Sequence, residues 1–189
     1  MTLPSPRDPS VFWVVDGNHP FCDALTWMDD LMMPGTTVKV YSVRDLVKAC
    51  CLRCIEQSTA IEFLAIFGHG TGGYQSIGAG KAFEPTGTKS LRFRGVFREG
   101  ESHLFGPAEK TLNGLNGTLS DQATVFCGGC NVGEGDYGSG LLSSVSTILG
   151  GRTVQAFEWQ VFWWTGVLVG PLKEAKGDSI SSSFSTYSF

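Results

Sequence analysis

"FLAIFGHGTGG", residues 63–73, is an apolar run that climbs into His-Gly and then a cluster of glycines. The chain has only three histidines, and this one stands at the tip of what reads as a strand. "IEFLAIF" (61–67) is short, apolar and bounded by turn residues, which predicts a fully buried strand. Glycines on both sides of His69 predict a turn where the backbone is closely approached.

Upstream, "VFWVVDG" (11–17) is a β-rich run stopped by Asp-Gly. "HPFCDALTWMDDLMM" (19–33) has helical spacing at Phe21, Leu25, Met28 and Leu31. "TTVKVYS" (36–42) reads as a second strand. "SVRDLVKACCLRCIEQS" opens with Ser42 three residues before Asp45, a capping-box start, and its apolar positions follow helix periodicity. The order β-α-β-α-β predicts a mostly parallel sheet covered by helices on both faces.

Downstream the reading is less regular. "SLRFRGVFR" (90–98) alternates apolar and polar residues, as a small antiparallel strand would. "GPAEKTLNGLNG" (106–117) reads as a helix start with a glycine stop. "ATVFCGG" (123–129) is a fourth core strand, "YGSGLLSSVSTILG" (137–150) a helix and "RTVQAFE" (152–158) a fifth strand. "WQVFWWTGVLVG" (159–170) reads as a further strand or hairpin. The Ser-rich tail, 173–189, is expected to be mobile or peripheral, after a core domain at 11–172 and an N-terminal extension at 1–10.

In open α/β sheets ligands bind outside the carboxyl ends of the strands. His69 follows the third strand there and Cys130, in "TVFCGGCNVGEG", follows the fourth, 61 residues on. One crossover returning to a neighbouring strand would span that gap. A cysteine facing a histidine across such a crevice makes a nucleophile and a proton-transfer partner. The Gly70 and Cys130 amides would supply an oxyanion hole.

A buried strand ending in His69-Gly70, with a second ending in Gly129-Cys130-Asn131, resembles the caspase-like cysteine peptidases (clan CD), and within them bacterial caspase-like, CHAT- and gingipain-type domains. The resemblance spans residues 11–170 as an order of elements. It implies a single three-layer α/β/α domain and a thiol protease that cleaves protein or peptide substrates without a cofactor or metal. Cys130 would be the nucleophile and His69 the proton donor to the leaving amine, with Gly70 and Cys130 as oxyanion donors. The Gln-Ala-Cys-Arg-Gly form of the caspases themselves is absent. The resemblance also matches Asp16, Glu158 and Trp159 to the substrate pocket, where acidic groups beside an aromatic wall favour a basic residue before the cut. For Asp16 a plain capping or turn-shaping role stands beside that reading. Control by a protein partner, or by a cut within 74–106, is expected from the irregular insert.

The rival from another class is an inactive domain of the same fold that binds a partner through the aromatic band Trp159, Phe162, Trp163 and Trp164. Other chemistries fit less well. Cys127-Gly-Gly-Cys130 spells CxxC, but at the end of a late strand rather than the start of an early helix, and a zinc site would need two further ligands. Cys127 reads as an inert buried thiol. "DYGSG" lacks the glycine of a serine-hydrolase elbow, and no histidine follows it.

Composition sets the remaining limits. Hydrophobic residues are 42% of the 189 and charged ones 17%, with net charge −4, enough for one well-filled core. There is no Lys/Arg cluster, so nucleic acid is not an expected partner. No apolar run reaches the roughly 18–20 residues that cross a bilayer, and "MTLPSPRDPS" lacks the pattern of a signal peptide. The expectation is a cytoplasmic protein with free cysteines and no membrane association.

Overall fold

The computed structural model describes residues 3–5, 7–17, 37–77, 90–92, 107–160 and 167–188. In chain order these form β1 (Val11–Asp16), β2 (Thr37–Val40), α1 (Val43–Gln57), β3 (Ile61–Phe67), β4 (Gly70–Thr71), β5 (Tyr74–Ser76) and β6 (Ser90–Arg92). Then follow α2 (Pro107–Leu112), a 3-10 turn (Asn113–Gly117), β7 (Leu119–Cys127), α3 (Gly135–Ile148), β8 (Thr153–Phe157), β9 (Val167–Lys176) and β10 (Ser179–Ser188).

Seven strands make one sheet in the order β2-β1-β3-β7-β8-β9-β10. The first five run parallel, and β9 and β10 are antiparallel additions. The chain leaves β1 toward β2, then returns to β3 on the other side and continues to β7 and β8. That reversal puts a topological switch point between β1 and β3, where the carboxyl ends of α/β strands open a crevice. The expected α/β class and mostly parallel central sheet are therefore present.

Local chemistry accounts for the boundaries. Ser42 caps α1: its Oγ accepts the Asp45 N–H at 3.1 Å and donates to the Asp45 carboxylate at 2.9 Å, a cap that contributes about 1 kcal/mol. Val43, Leu46 and Cys50 of α1 are buried in the core face that also holds Leu112, Leu141, Leu142 and Val145. All three described helices lie on this face. Helices were expected on both, but the 19–33 segment lies outside the described residues. The other face is aromatic. Phe126 at its centre meets the rings of Phe63, Phe67, Phe157 and Tyr187 at centroid distances of 5.9 to 6.5 Å.

Two expectations need correction. β7 begins at Leu119, four residues before the expected start, because exposed Asp121 and Gln122 hide a strand whose pairing with β3 shifts register between Ile61 and Phe63. The Ser-rich tail is neither a loose end nor wholly peripheral, since Ala175 and Tyr187 are buried in the two core faces. Residues 179–188 pair with 176–167 in unbroken register, so a boundary at 172/173 cuts through β9. The two-residue connection places Gly177 at φ 59°, a left-handed conformation that glycine adopts freely at a hairpin's first central position. The small antiparallel strand expected at 90–98 is present as Ser90–Arg92, against β5; residues 93–98 lie outside the described residues.

Candidate active site

β3 and β7 are adjacent parallel strands, so their carboxyl ends emerge side by side. His69 leaves β3 and Cys130 leaves β7; both are partly buried. The two turns touch through their backbones. A Cβ on Gly70 would stand 2.6 Å from the Cys130 carbonyl oxygen, 2.8 Å from the Gly129 carbonyl carbon and against Val132. A Cβ on Gly129 would stand 2.9 Å from both the His69 oxygen and the Gly70 Cα. Real Cβ atoms are not found so close, so both positions require glycine by contact rather than by dihedral angle. The glycine beside His69 is there because the Cys130 turn occupies the space a side chain would fill.

β4 and β5 form a hairpin over this junction. Ser76 N–H donates to the His69 carbonyl at 2.8 Å, which makes 69/76 the hydrogen-bonded pair. Gly70 therefore faces Gln75 at the alternate position, where the backbone N–H points away from β5. Gly129 N–H donates to Gln75 Oε1 at 2.9 Å.

Asp16, the last residue of β1, is fully buried and accepts the Ser76 hydroxyl at 2.7 Å. The same Ser76 Oγ accepts the His69 backbone N–H, also at 2.7 Å. Burial pushes the His69 imidazole below its ordinary range, and the negative charge of Asp16 pulls it part of the way back. The downward shift favours the neutral form of the imidazole.

Beyond Cys130 the chain turns through Asn131 at φ 58°, a left-handed angle that asparagine tolerates better than most residues. Asn131 N–H donates to the Trp159 carbonyl at 3.1 Å and its side-chain amide to the Glu158 carbonyl at 3.3 Å. The end of β8 is so tied to the cysteine turn. Glu158 is not an open acidic wall: Lys173 Nζ lies 3.3 Å from its carboxylate, and Ser182 donates to it at 2.6 Å. Lys173 also donates to the Gly135 carbonyl and to Ser139, each at 3.0 Å. Trp159 is 54% exposed and its ring meets that of Phe184 edge-on at 5.9 Å.

The fold thus gathers His69, Gly70 and Cys130 at one junction, with Asp16 reaching it through Ser76 and the Glu158–Trp159 backbone through Asn131. Cys127, three residues from Cys130, is fully buried, and desolvation pushes its thiol up to about 12. Among the described residues no group of three or more His, Cys, Asp or Glu side chains is arranged to hold a metal. Gln75, Ser76 and Lys173 were not singled out in the sequence. The only available signal was polar residues within strands, since "YQS" directly follows the glycine hairpin.

No family model, no curated protein and no solved structure matches this chain. Among the described residues no helix is long and apolar enough to cross a membrane.

Proposed function

We propose that this chain is a cytoplasmic cysteine endopeptidase of the caspase-like type, with a three-layer α/β/α fold, acting on protein or peptide substrates. The observation that carries this reading is the backbone contact between His69-Gly70 and Gly129-Cys130 at the ends of adjacent parallel strands. In the proposed reaction the Cys130 thiol gives its proton to His69 as sulfur attacks the peptide carbonyl. The Cys130 and Gly70 amides hold the resulting oxyanion. The His69 imidazolium then protonates the departing amine as the C–N bond breaks, leaving a thioester. Water adds to the thioester and releases the acid, returning the thiol.

A preference for a basic residue before the cut would require the Asp16 carboxylate, fully buried and bonded to Ser76, to be uncovered when substrate binds. Glu158 contributes less than its sequence position suggested, because Lys173 neutralises it. Control by a protein partner, or by a cut in the insert between β5 and α2, belongs to the same reading. Hydrolysis of fluorogenic peptides with Arg, Lys, Asp or Leu at P1 tests it, before and after limited proteolysis. Turnover of the Arg or Lys peptide that vanishes in Cys130→Ala is expected; turnover unchanged in Cys130→Ala would sink it.

The exposed Trp159–Phe184 pair favours a second reading, a catalytically silent domain that binds a protein through this aromatic step. In that case Trp159→Ala abolishes binding while Cys130→Ala leaves it unchanged.

A further inference from the structure

We infer that Gln75 and Ser76 are positioning residues that bolt the histidine turn to the cysteine turn, so that the two halves of the proposed site keep one register. The inference rests on the peptidase reading of His69 and Cys130. Successive residues of a strand point to opposite sides, and here that alternation is put to use. Gln75 reaches the β7 end, where its Oε1 accepts the N–H of Gly129, the residue before the nucleophile. Ser76 reaches the β1 and β3 ends, taking the His69 N–H and donating to Asp16.

The two halves are joined to each other as well. Gln75 Nε2 donates to the Ser76 carbonyl at 3.0 Å, and Ser76 N–H closes on the His69 carbonyl. Both residues are completely buried, so each polar atom lost there costs its full desolvation and has no water to replace it. A network of this kind tolerates one arrangement and penalises the others. No part of the bolt need touch substrate.

The test compares two reagents on the full-length protein at a temperature well below unfolding. A peptidyl acyloxymethyl ketone needs an assembled site to alkylate Cys130, whereas iodoacetamide needs only an accessible thiolate. Intact-mass rates with both are measured for wild type, Gln75→Met, Gln75→Glu and Ser76→Ala, with thermal unfolding of each as the folding control. Gln75→Met should lower the ketone rate roughly 10- to 100-fold, as small misplacements of reacting groups do, with iodoacetamide changed little. Gln75→Glu, which keeps an acceptor for Gly129, should recover part of the loss, and Ser76→Ala should repeat it from the other side.

A folded Gln75→Met or Ser76→Ala with wild-type rates for both reagents overturns the positioning role alone. Wild type that takes iodoacetamide at Cys130 but never the ketone, intact or nicked, overturns the peptidase reading and the positioning role with it. If Gln75→Met fails to unfold cooperatively, Gln75→Glu and Ser76→Ala carry the comparison.

Discussion

Gly70 lies so close to Cys130 that a Cβ would stand 2.6 Å from the cysteine's carbonyl oxygen. The contact joins the ends of β3 and β7 and gives the sequence "GHG" a physical reason. Gly70→Ala should cost about 1–3 kcal/mol, the usual range for forced overpacking, read as a lowered midpoint in urea. It should also weaken labelling of Cys130 by a peptidyl electrophile more than the stability loss explains. An alanine variant of wild-type stability would mean that the two turns do not touch.

Two thiols three residues apart should behave oppositely. Cys130 is partly exposed at a turn, whereas Cys127 is sealed in the core with its thiol pushed up to about 12. Iodoacetamide on the folded protein, followed by peptide mapping, should modify Cys130 and leave Cys127 free until the protein is denatured. Equal modification of both would contradict the assignment of Cys127 to the core.

Folding stability should carry the signature of His69. Its imidazole is held below the ordinary value of 6.5, first by burial, so the unfolded chain binds the proton more readily. The stability from keeping His69 neutral is fully present above that value and is lost as pH falls toward and through the folded value. Urea unfolding at about pH 7.5 and about pH 5 should show a smaller acid loss in His69→Ala than in wild type. Equal losses would show that His69 titrates alike in both states.

Lys173 and Glu158 make a prediction about specificity. Lys173→Met removes the cation from Glu158 and frees that carboxylate beside Trp159. Preference for a basic over a neutral P1 residue should rise in Lys173→Met. No change would remove Glu158 from the substrate pocket of the proposed enzyme.

Arg152 supplies the contrast. Its guanidinium donates to the carbonyls of Ser120, Leu119 and Leu149 and to the Asn116 side chain, at 2.6 to 2.9 Å. It fastens the end of α3 to the start of β7, at the far end of the sheet from Cys130. Arg152→Met should cost about 3 kcal/mol or more, since several buried acceptors lose their partner. Reactivity of Cys130 in the folded fraction should not change; a parallel loss would mean that the site senses the whole fold.

Much of the scaffold was legible because its strands are short apolar runs with sharp stops. Ile61–Phe67 was read to the residue, and Ser42 announced α1. The backbone contact between the Gly70 and Gly129–Cys130 turns agrees with placing both segments at the ends of adjacent strands. What stayed hidden was long-range and polar. Nothing local in "YQS" says that Gln75 will meet Gly129, because that bond joins residues far apart in the chain. The neutralising of Glu158 by Lys173 depends on β9 running back along β8, a pairing with no sequence signature. β10 was missed because serine has little strand propensity; pairing with β9 along ten residues overrides it.

The central claim is that His69 and Cys130 form one working site. Intact-protein mass spectrometry after exposure to acyloxymethyl ketones with Arg, Lys, Asp or Leu at P1 tests it most directly, on wild type, Cys130→Ala and His69→Ala. The account predicts a single adduct, favoured for the Arg or Lys reagent, absent in Cys130→Ala and strongly slowed in His69→Ala. An adduct that persists in Cys130→Ala, or that forms equally fast without His69, would contradict it.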